Sequence, residues 1–296
     1  MSYTGWLIYN GGLLTDKFME LNKWYIKSAK KHRIDLKPIA NSELFIGVEE
    51  GELILEPDLK RPDFVLYLDK DIHLAKQISN LGVPVFNSPE TIAICDNKIS
   101  MHQKLAEAKL PQPTTLFAPM LFQQAREPNQ AFLNHVAKTL GYPLVVKEAY
   151  GSFGEQVYLI NNRVELNHHA KALINKPHLF QEYIASSHGK DLRIHIVGDR
   201  AVASTKRVSK NDFRANVTNG GEMFAHHPSQ EFIDLAIKAS QTVGANFSGV
   251  DLLYGPNGEP IICEVNSNAH IKNIYQATSI DVSDYIFEEI LNQLNS

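Results

Sequence analysis

Asp251, Glu264 and Asn266 are the side chains of this sequence best placed to handle a charged substrate. They interrupt an otherwise apolar segment, 246–268, that reads as a β-hairpin. Val250, Leu252 and Leu253 supply one strand, Gly255-Pro256-Asn257-Gly258 the turn, and Ile261, Ile262, Cys263 and Val265 the return. Strand side chains alternate faces, so Glu264 and Asn266 point the same way, and the hairpin brings Asp251 beside them. Two carboxylates and an amide oxygen then converge, with no cation in either strand. Buried unpaired carboxylates are costly, which calls for a hard cation, and oxygen-only ligands select Mg²⁺ or Mn²⁺. A half-exposed hairpin whose polar face meets water is the competing reading.

Cations suited to an anionic partner lie upstream. Lys98 follows Cys95-Asp96-Asn97 at a helix start, where amides and an ammonium can face phosphate together; a solvated lysine is the alternative. Lys147 lies near the end of a strand, 142–148, and the glycine loop 149–156 separates it from another, 157–160. With Gly151 and Gly154 this forms either a flap whose amides cover phosphates or an ordinary hairpin turn. Arg193, Arg207 and Arg214 offer planar forks for carboxylate or phosphate, whereas Lys206 and Lys210 are point charges; a solvated basic strand competes with that reading. Adenine needs an apolar slot with backbone groups, for which the strand 179–184 is a candidate, and Glu182 and Asp191 suit a ribose.

Three units position these residues: 1–95, 96–185 and 186–296. The first alternates strand and helix periods: a strand at 6–9, a helix over 15–32, a strand from Ile34, an irregular acidic excursion near Glu49-Glu50-Gly51-Glu52, a strand at 64–68, a helix over 71–81 and a strand at 83–86. That order predicts a small parallel sheet covered by helices, with ligands at the carboxyl ends of its strands; Gly11-Gly12 is a close-approach point or a simple turn. Helical patterns at 88–95 and 96–108 lead to Pro111 and Pro113, a boundary. The second unit mixes strands with helices over 129–140 and 164–174. The third has strands at 192–197 and 201–204, a turn at 219–222, a helix over 228–243, the hairpin, and a mostly helical close over 271–294.

At 296 residues and 44% hydrophobic content, the chain has material for two or three cores. A net charge of -4 provides no global field for nucleic acid or anionic membrane. Cys95 and Cys263 sit far apart in apolar runs, as buried reduced thiols do, and with no basic leader or membrane-length apolar stretch they predict a soluble cytoplasmic protein.

Taken in order, these elements resemble the ATP-grasp superfamily, and within it the RimK-like carboxylate–amine ligases. The resemblance rests on Lys98; Pro-Leu-Val-Val-Lys147; Gly151 and Gly154; Gln181-Glu182-Tyr183-Ile184; Asp191-Leu192-Arg193; Lys206-Arg207; Phe213-Arg214-Ala215-Asn216; Gly220-Gly221; Gly249-Val250-Asp251; and Glu264-Val265-Asn266. It implies an α/β and α+β architecture: an N-terminal Rossmann-like (pre-ATP-grasp) domain, then two α+β lobes clasping ATP. It also implies that Lys98, Lys147, the flap glycines, residues 181–184, Asp191, Lys206 and Arg207 bind ATP. Asp251, Glu264 and Asn266 would hold Mg²⁺ or Mn²⁺, and Arg214, Asn216 and Arg193 would serve catalysis. The implied reaction is amide formation through an acylphosphate, between a small-molecule carboxylate and an amino-acid amine or with a protein terminus as acceptor, in a homo-oligomer. A non-catalytic ATP-binding regulator is the rival class. Ser267-Asn268-Ala269-His270 departs from the family's usual Pro-Gly after Glu-Val-Asn, and Phe153 replaces a small flap residue.

Overall fold

The computed structural model describes residues 2–13, 15–122, 124–151, 154–216 and 220–296. The chain begins with β1 (Tyr3–Tyr9), α1 (Asp16–Lys31), β2 (Ile34–Ala40), β3 (Phe45–Glu49), β4 (Glu52–Glu56), β5 (Phe64–Tyr67), α2 (Ile72–Asn80) and β6 (Val85–Phe86). Strands β2-β1-β5-β6 form a parallel sheet in that order. Its apolar strands are buried on both sides, as parallel sheets require. Leu21, Tyr25 and Ala29 of α1 cover Leu7, Phe64 and Leu66, while Leu74, Ala75 and Ile78 of α2 cover Trp6, Ile8, Val65 and Tyr67. The acidic stretch, expected to be irregular, is instead the antiparallel hairpin β3–β4. Phe45 and Val48 stay exposed, so little burial marks it in the sequence; Gln77 holds it by donating to Gly47 O (2.8 Å) and Ile54 O (2.7 Å).

Next come α3 (Pro89–Asp96), α4 (Lys98–Glu107), β7 (Thr115–Phe117), α5 (Gln130–Leu140), β8 (Leu144–Glu148), β9 (Val157–Ile160), α6 (Arg163–Ala172) and β10 (His178–Glu182). Asn97 ends α3 in extended backbone and caps α4, its Oδ1 accepting from Ile99 N (2.9 Å) and Ser100 N (3.3 Å). Lys98 is therefore the first residue of a helix. Strands β7-β10-β8-β9 form an antiparallel sheet with α5 and α6 on one face, packed through Leu133, Val136, Leu166 and Phe180.

The last part holds β11 (Lys190–Val197), β12 (Arg200–Val208), β13 (Glu222–Ala225), α7 (Gln230–Thr242), β14 (Phe247–Tyr254), β15 (Pro260–Asn266), α8 (Ile271–Thr278) and α9 (Val282–Leu294). The sheet order is β13-β12-β11-β14-β15, all antiparallel. One face carries Leu192, Ile194, Val250, Leu252, Ile262 and Val265 against α7. The other is apolar at one end, where Val197, Ala203 and Phe247 share a core with α8, α9 and α1, and polar at the other. Of the turn expected at 219–222, Asn219 lies outside the described residues and Glu222 begins β13. Among the described residues no helix is long and apolar enough to cross a membrane.

Asn87, 1% exposed, joins the parallel sheet to the last one. Its Oδ1 accepts from Asn246 N (2.7 Å) and Phe247 N (3.3 Å), and its Nδ2 donates to Phe247 O (2.9 Å) and Ser267 O (2.8 Å). Truncation leaves the backbone groups of Phe247, which is 5% exposed, and of half-buried Asn246 and Ser267 without these partners. Asn87→Ala is expected to destabilise the protein by about 3 kcal/mol, read as a lower melting temperature.

Candidate active site

The hairpin register places Gly249 opposite Asn266 and Asp251 opposite Glu264, on the polar face of the last sheet. Between the Asp251–Glu264 and Leu252–Ile262 pairs, β15 carries one extra residue, Cys263, a β-bulge. The bulge turns a thiol expected in the core toward the site, where Lys147 Nζ lies 3.8 Å from Sγ. Burial raises the Cys263 pKa against the pull of Lys147. Gly249 has no room for a side chain: a Cβ there would stand 2.4 Å from that of Ala269, which lets the segment after β15 close over this face.

Strand pairing also supplies what the hairpin lacks. Arg193 lies opposite Asp251, and Asp191 opposite Arg207. Arg193 grips Asp251 with Nε to Oδ1 (2.6 Å) and Nη2 to Oδ2 (2.7 Å). Arg207 grips Asp191 the same way, at 2.6 Å for both contacts, and its Nη2 lies 2.9 Å from Asp251 Oδ2. The expectation of an uncompensated Asp251 is thereby corrected: its cations come from β11 and β12. Burial works to raise its pKa, but the two guanidinium groups outweigh burial and hold it at about 2. Asp191, read as a ribose partner, has both oxygens committed to Arg207.

Lys98 and Lys147 approach from the preceding part of the chain, each 7% exposed. Lys98 Nζ lies 3.3 Å from Glu264 Oε1 and donates to Gly151 O (3.3 Å). Lys147, among the described residues, has no carboxylate within ion-pair distance. A buried ammonium without a counter-charge calls for an anionic ligand. Arg214 reaches the glycine loop from the other side: its Nη1 donates to Gly154 O and to Val157 O (3.4 Å), while Nε and Nη2 bind Asp212 (3.0 and 2.7 Å). Ser152 and Phe153 fall outside the described residues. Asn216 is half-buried, and its carbonyl accepts from Gly221 N (3.2 Å).

The remaining expected ligands take the following positions. Lys206 pairs with Leu192, a core residue, so it projects from the opposite face of the sheet and lies 5.7 Å from the centre of the Tyr254 ring. Gln181 is buried, donating to Thr115 Oγ1 (2.9 Å) and to His102 Nε2 (3.0 Å). Burial lowers the His102 pKa to about 4, so the neutral ring accepts there and its Nδ1 donates to Gln112 Oε1 (2.6 Å). Glu182 is exposed and accepts from Thr114 N (3.1 Å), Tyr183 bonds His188 through its hydroxyl, and Ile184 is buried.

Among the described residues no three His, Cys, Asp or Glu side chains cluster as metal ligands. The mixed set still suits a hard cation. A carboxylate offers about four lone-pair sites, and guanidinium contacts use three of those on Asp251. Asn266 donates Nδ2 to Gly249 O (3.4 Å), which leaves Oδ1, and Glu264 is about one quarter exposed with Lys98 as its ionic partner. Oxygen donors, fixed cations and a glycine loop thus meet between two antiparallel sheets.

Fold and site together are those of the ATP-grasp class. Within that class the chain belongs to the RimK-like family: the RimK-like ATP-grasp domain model matches residues 95–290. Human N-acetylaspartylglutamate synthase A is 30% identical over 261 residues, covering 86% of this chain and 65% of that protein. Zebrafish (Danio rerio) beta-citrylglutamate synthase B is 31% identical over 230 residues, 77% of this chain and 55% of that one. The chain thus spans between half and two thirds of these two relatives. The ATP-grasp ligase PsnB, solved with a minimal precursor, Mg and ADP, shares the fold at a TM-score of 0.71 and 16% identity, over 98% of this chain and 97% of that one.

Because its folded pKa is depressed, Asp251 contributes stability that is complete above the unfolded carboxylate value of about 4 and is lost as pH falls toward 2. Arg193→Gln weakens that depression. The fall in melting temperature between about pH 4 and pH 2 is expected to be smaller in the variant than in the wild type, as measured by a thermal melt series.

Proposed function

We propose that this protein joins the amine of L-glutamate to a small polycarboxylate acid at the expense of ATP. The observation that carries this reading is Lys147, buried with no carboxylate partner among the described residues, its Nζ 3.8 Å from Cys263 Sγ and so beside Glu264, which Lys98 meets at 3.3 Å. Such a site is charged for a triphosphate. The glutamate assignment is supported by the names of the two relatives, each of which denotes a glutamate acylated by another acid.

A carboxylate is a poor electrophile until a phosphate leaving group is attached. An oxygen of the acid attacks the γ-phosphorus, the bond to ADP breaks, and an acylphosphate forms. The amine lone pair then attacks the acyl carbon, the carbon–oxygen bond to phosphate breaks, and an amide, phosphate and a proton result. Lys98 and Lys147 neutralise phosphate oxygens throughout. Asp251, Glu264 and Asn266 would hold Mg²⁺ or Mn²⁺, which when bound offsets phosphate charge. Arg193 and Arg207 act through Asp251, keeping it ionised and oriented. Arg214 holds the glycine loop over the nucleotide, excluding water that would hydrolyse the acylphosphate. ATP chemistry and two free thiols fit a cytosolic setting.

Incubation with ATP, Mg²⁺, L-glutamate and either N-acetyl-L-aspartate or citrate is expected to give an amide by mass spectrometry, with one phosphate per amide. Tight ATP binding with no amide from any acid–amine pair in a broad screen would overturn the reading. Lys147→Met is expected to weaken ATP binding roughly 10–100-fold in calorimetry, with folding retained.

A further inference from the structure

The parallel sheet has a crevice that the ATP chemistry leaves unused. From β1 the chain moves to β2 on one side, and β5 and β6 lie on the other, so β1 and β5 flank a topological switch point. Open parallel sheets bind ligands there, outside the carboxyl ends of the strands. Asn10 directly follows β1, and Asp69 stands two residues past β5. They meet across the crevice, Asn10 Nδ2 donating to Asp69 Oδ1 at 2.9 Å, while Asn10 Oδ1 accepts from Gly12 N at 2.9 Å. The other oxygen, Asp69 Oδ2, has no hydrogen-bond partner among the described residues, although Asp69 is only 6% exposed. Buried acceptors are nearly always satisfied, so an orphaned carboxylate oxygen at a ligand-binding position marks a missing donor.

The crevice adjoins the reaction centre. Asn268, two residues past Asn266, donates Nδ2 to Leu68 O at 2.8 Å, and Asn87 holds Ser267 O. The segment 267–269 therefore spans from the oxygen-donor face to Asp69. Charge then selects the occupant. The phosphates of ATP and the acid substrate carry negative charge that Asp69 repels; of the positive groups in the proposed reaction, the divalent metal is assigned to the hairpin oxygens, which leaves the amino acid's ammonium for Asp69. We propose that the β1–β5 crevice seats the amino-acid substrate, its ammonium donating to Asp69 Oδ2, which orients the nitrogen toward the acylphosphate before the proton is lost. Oδ2 is shielded from solvent, so the ammonium reaches it as the side chain of Asn10 or the exposed Asn268 turns aside. This assignment rests on the ligase reading and adds to it the seat of one substrate.

The test is steady-state kinetics of the wild type, Asp69→Asn and Asp69→Glu, with L-glutamate as amine and whichever of N-acetyl-L-aspartate and citrate the wild type ligates. Asp69→Asn is expected to raise KM for L-glutamate about tenfold or more while leaving KM for ATP and for the acid unchanged. Glutarate, which lacks the ammonium, supplies a second readout: the wild type should prefer L-glutamate over glutarate as a competitor, and Asp69→Asn should lose that preference. Should Asp69→Asn fail to fold, Asn10→Ser carries the same comparison. An unchanged KM for L-glutamate with discrimination intact, as expected if only a water meets Oδ2, would overturn the assignment and leave the ligase reading standing. A parallel rise in all three KM values would also overturn it, as a structural effect. Absence of ligation in the wild type would overturn both.

Discussion

Two arginines and two aspartates alternate across three adjacent strands of the last sheet, and their pairing constrains the whole site. A guanidinium does not give up its proton inside a protein, so Arg193 and Arg207 hold the charge on Asp251, while at Asp191 the pull of Arg207 works against a burial that raises the carboxyl pKa. Buried ion pairs of this kind seldom add net stability over an apolar core. What the ladder supplies is definition. The register of β11 against β12 and β14 cannot slip by one residue without burying four unpaired charges. Asp251 is thereby ionised and aimed, with one acceptor site in reserve.

From that fixed point the site extends through a few polar ties. Glu264 lies beside Asp251 by register and meets Lys98, whose helix begins where Asn97 interrupts the one before. Lys98 also reaches Gly151 O, and Arg214 reaches Gly154 O from the last sheet. The glycine loop is thus held at both ends by cations belonging to opposite sides of the site. Among the described residues, the hydrogen bonds between this loop and the last part of the chain come from Arg214, whereas the Lys98 contact stays within its own half of the molecule.

Much of this was legible in the sequence, and the parts that were not share a cause. The shared face of Glu264 and Asn266 followed from period-two alternation, and the parallel sheet from alternating strand and helix periods. Neither required knowledge of distant residues. The cations on Asp251 were invisible because they come from β11 and β12, more than forty positions upstream. Lys206 and Arg207 are adjacent and of like charge, yet strand alternation sends one to each face, so the cluster of basic residues overstated the charge at the site. The Cys263 bulge depends on strand pairing that composition does not reveal. The β3–β4 hairpin escaped notice because its alternating residues remain largely exposed, and burial is what makes a strand pattern readable.

The balance of charge also bears on what the site admits. Four cations, Lys98, Lys147, Arg193 and Arg207, surround three carboxylates, Asp191, Asp251 and Glu264. A bare divalent ion meets two buried ammonium groups near Glu264, and a bare triphosphate meets the carboxylates of the hairpin. Each is opposed by part of the site. A metal–nucleotide complex presents its cation to the oxygens and its phosphates to the lysines, so both halves of the charge pattern are satisfied at once. The arrangement therefore discriminates by complementarity against either component alone, and Lys147, which has no carboxylate of its own among the described residues, is the part that demands the phosphate.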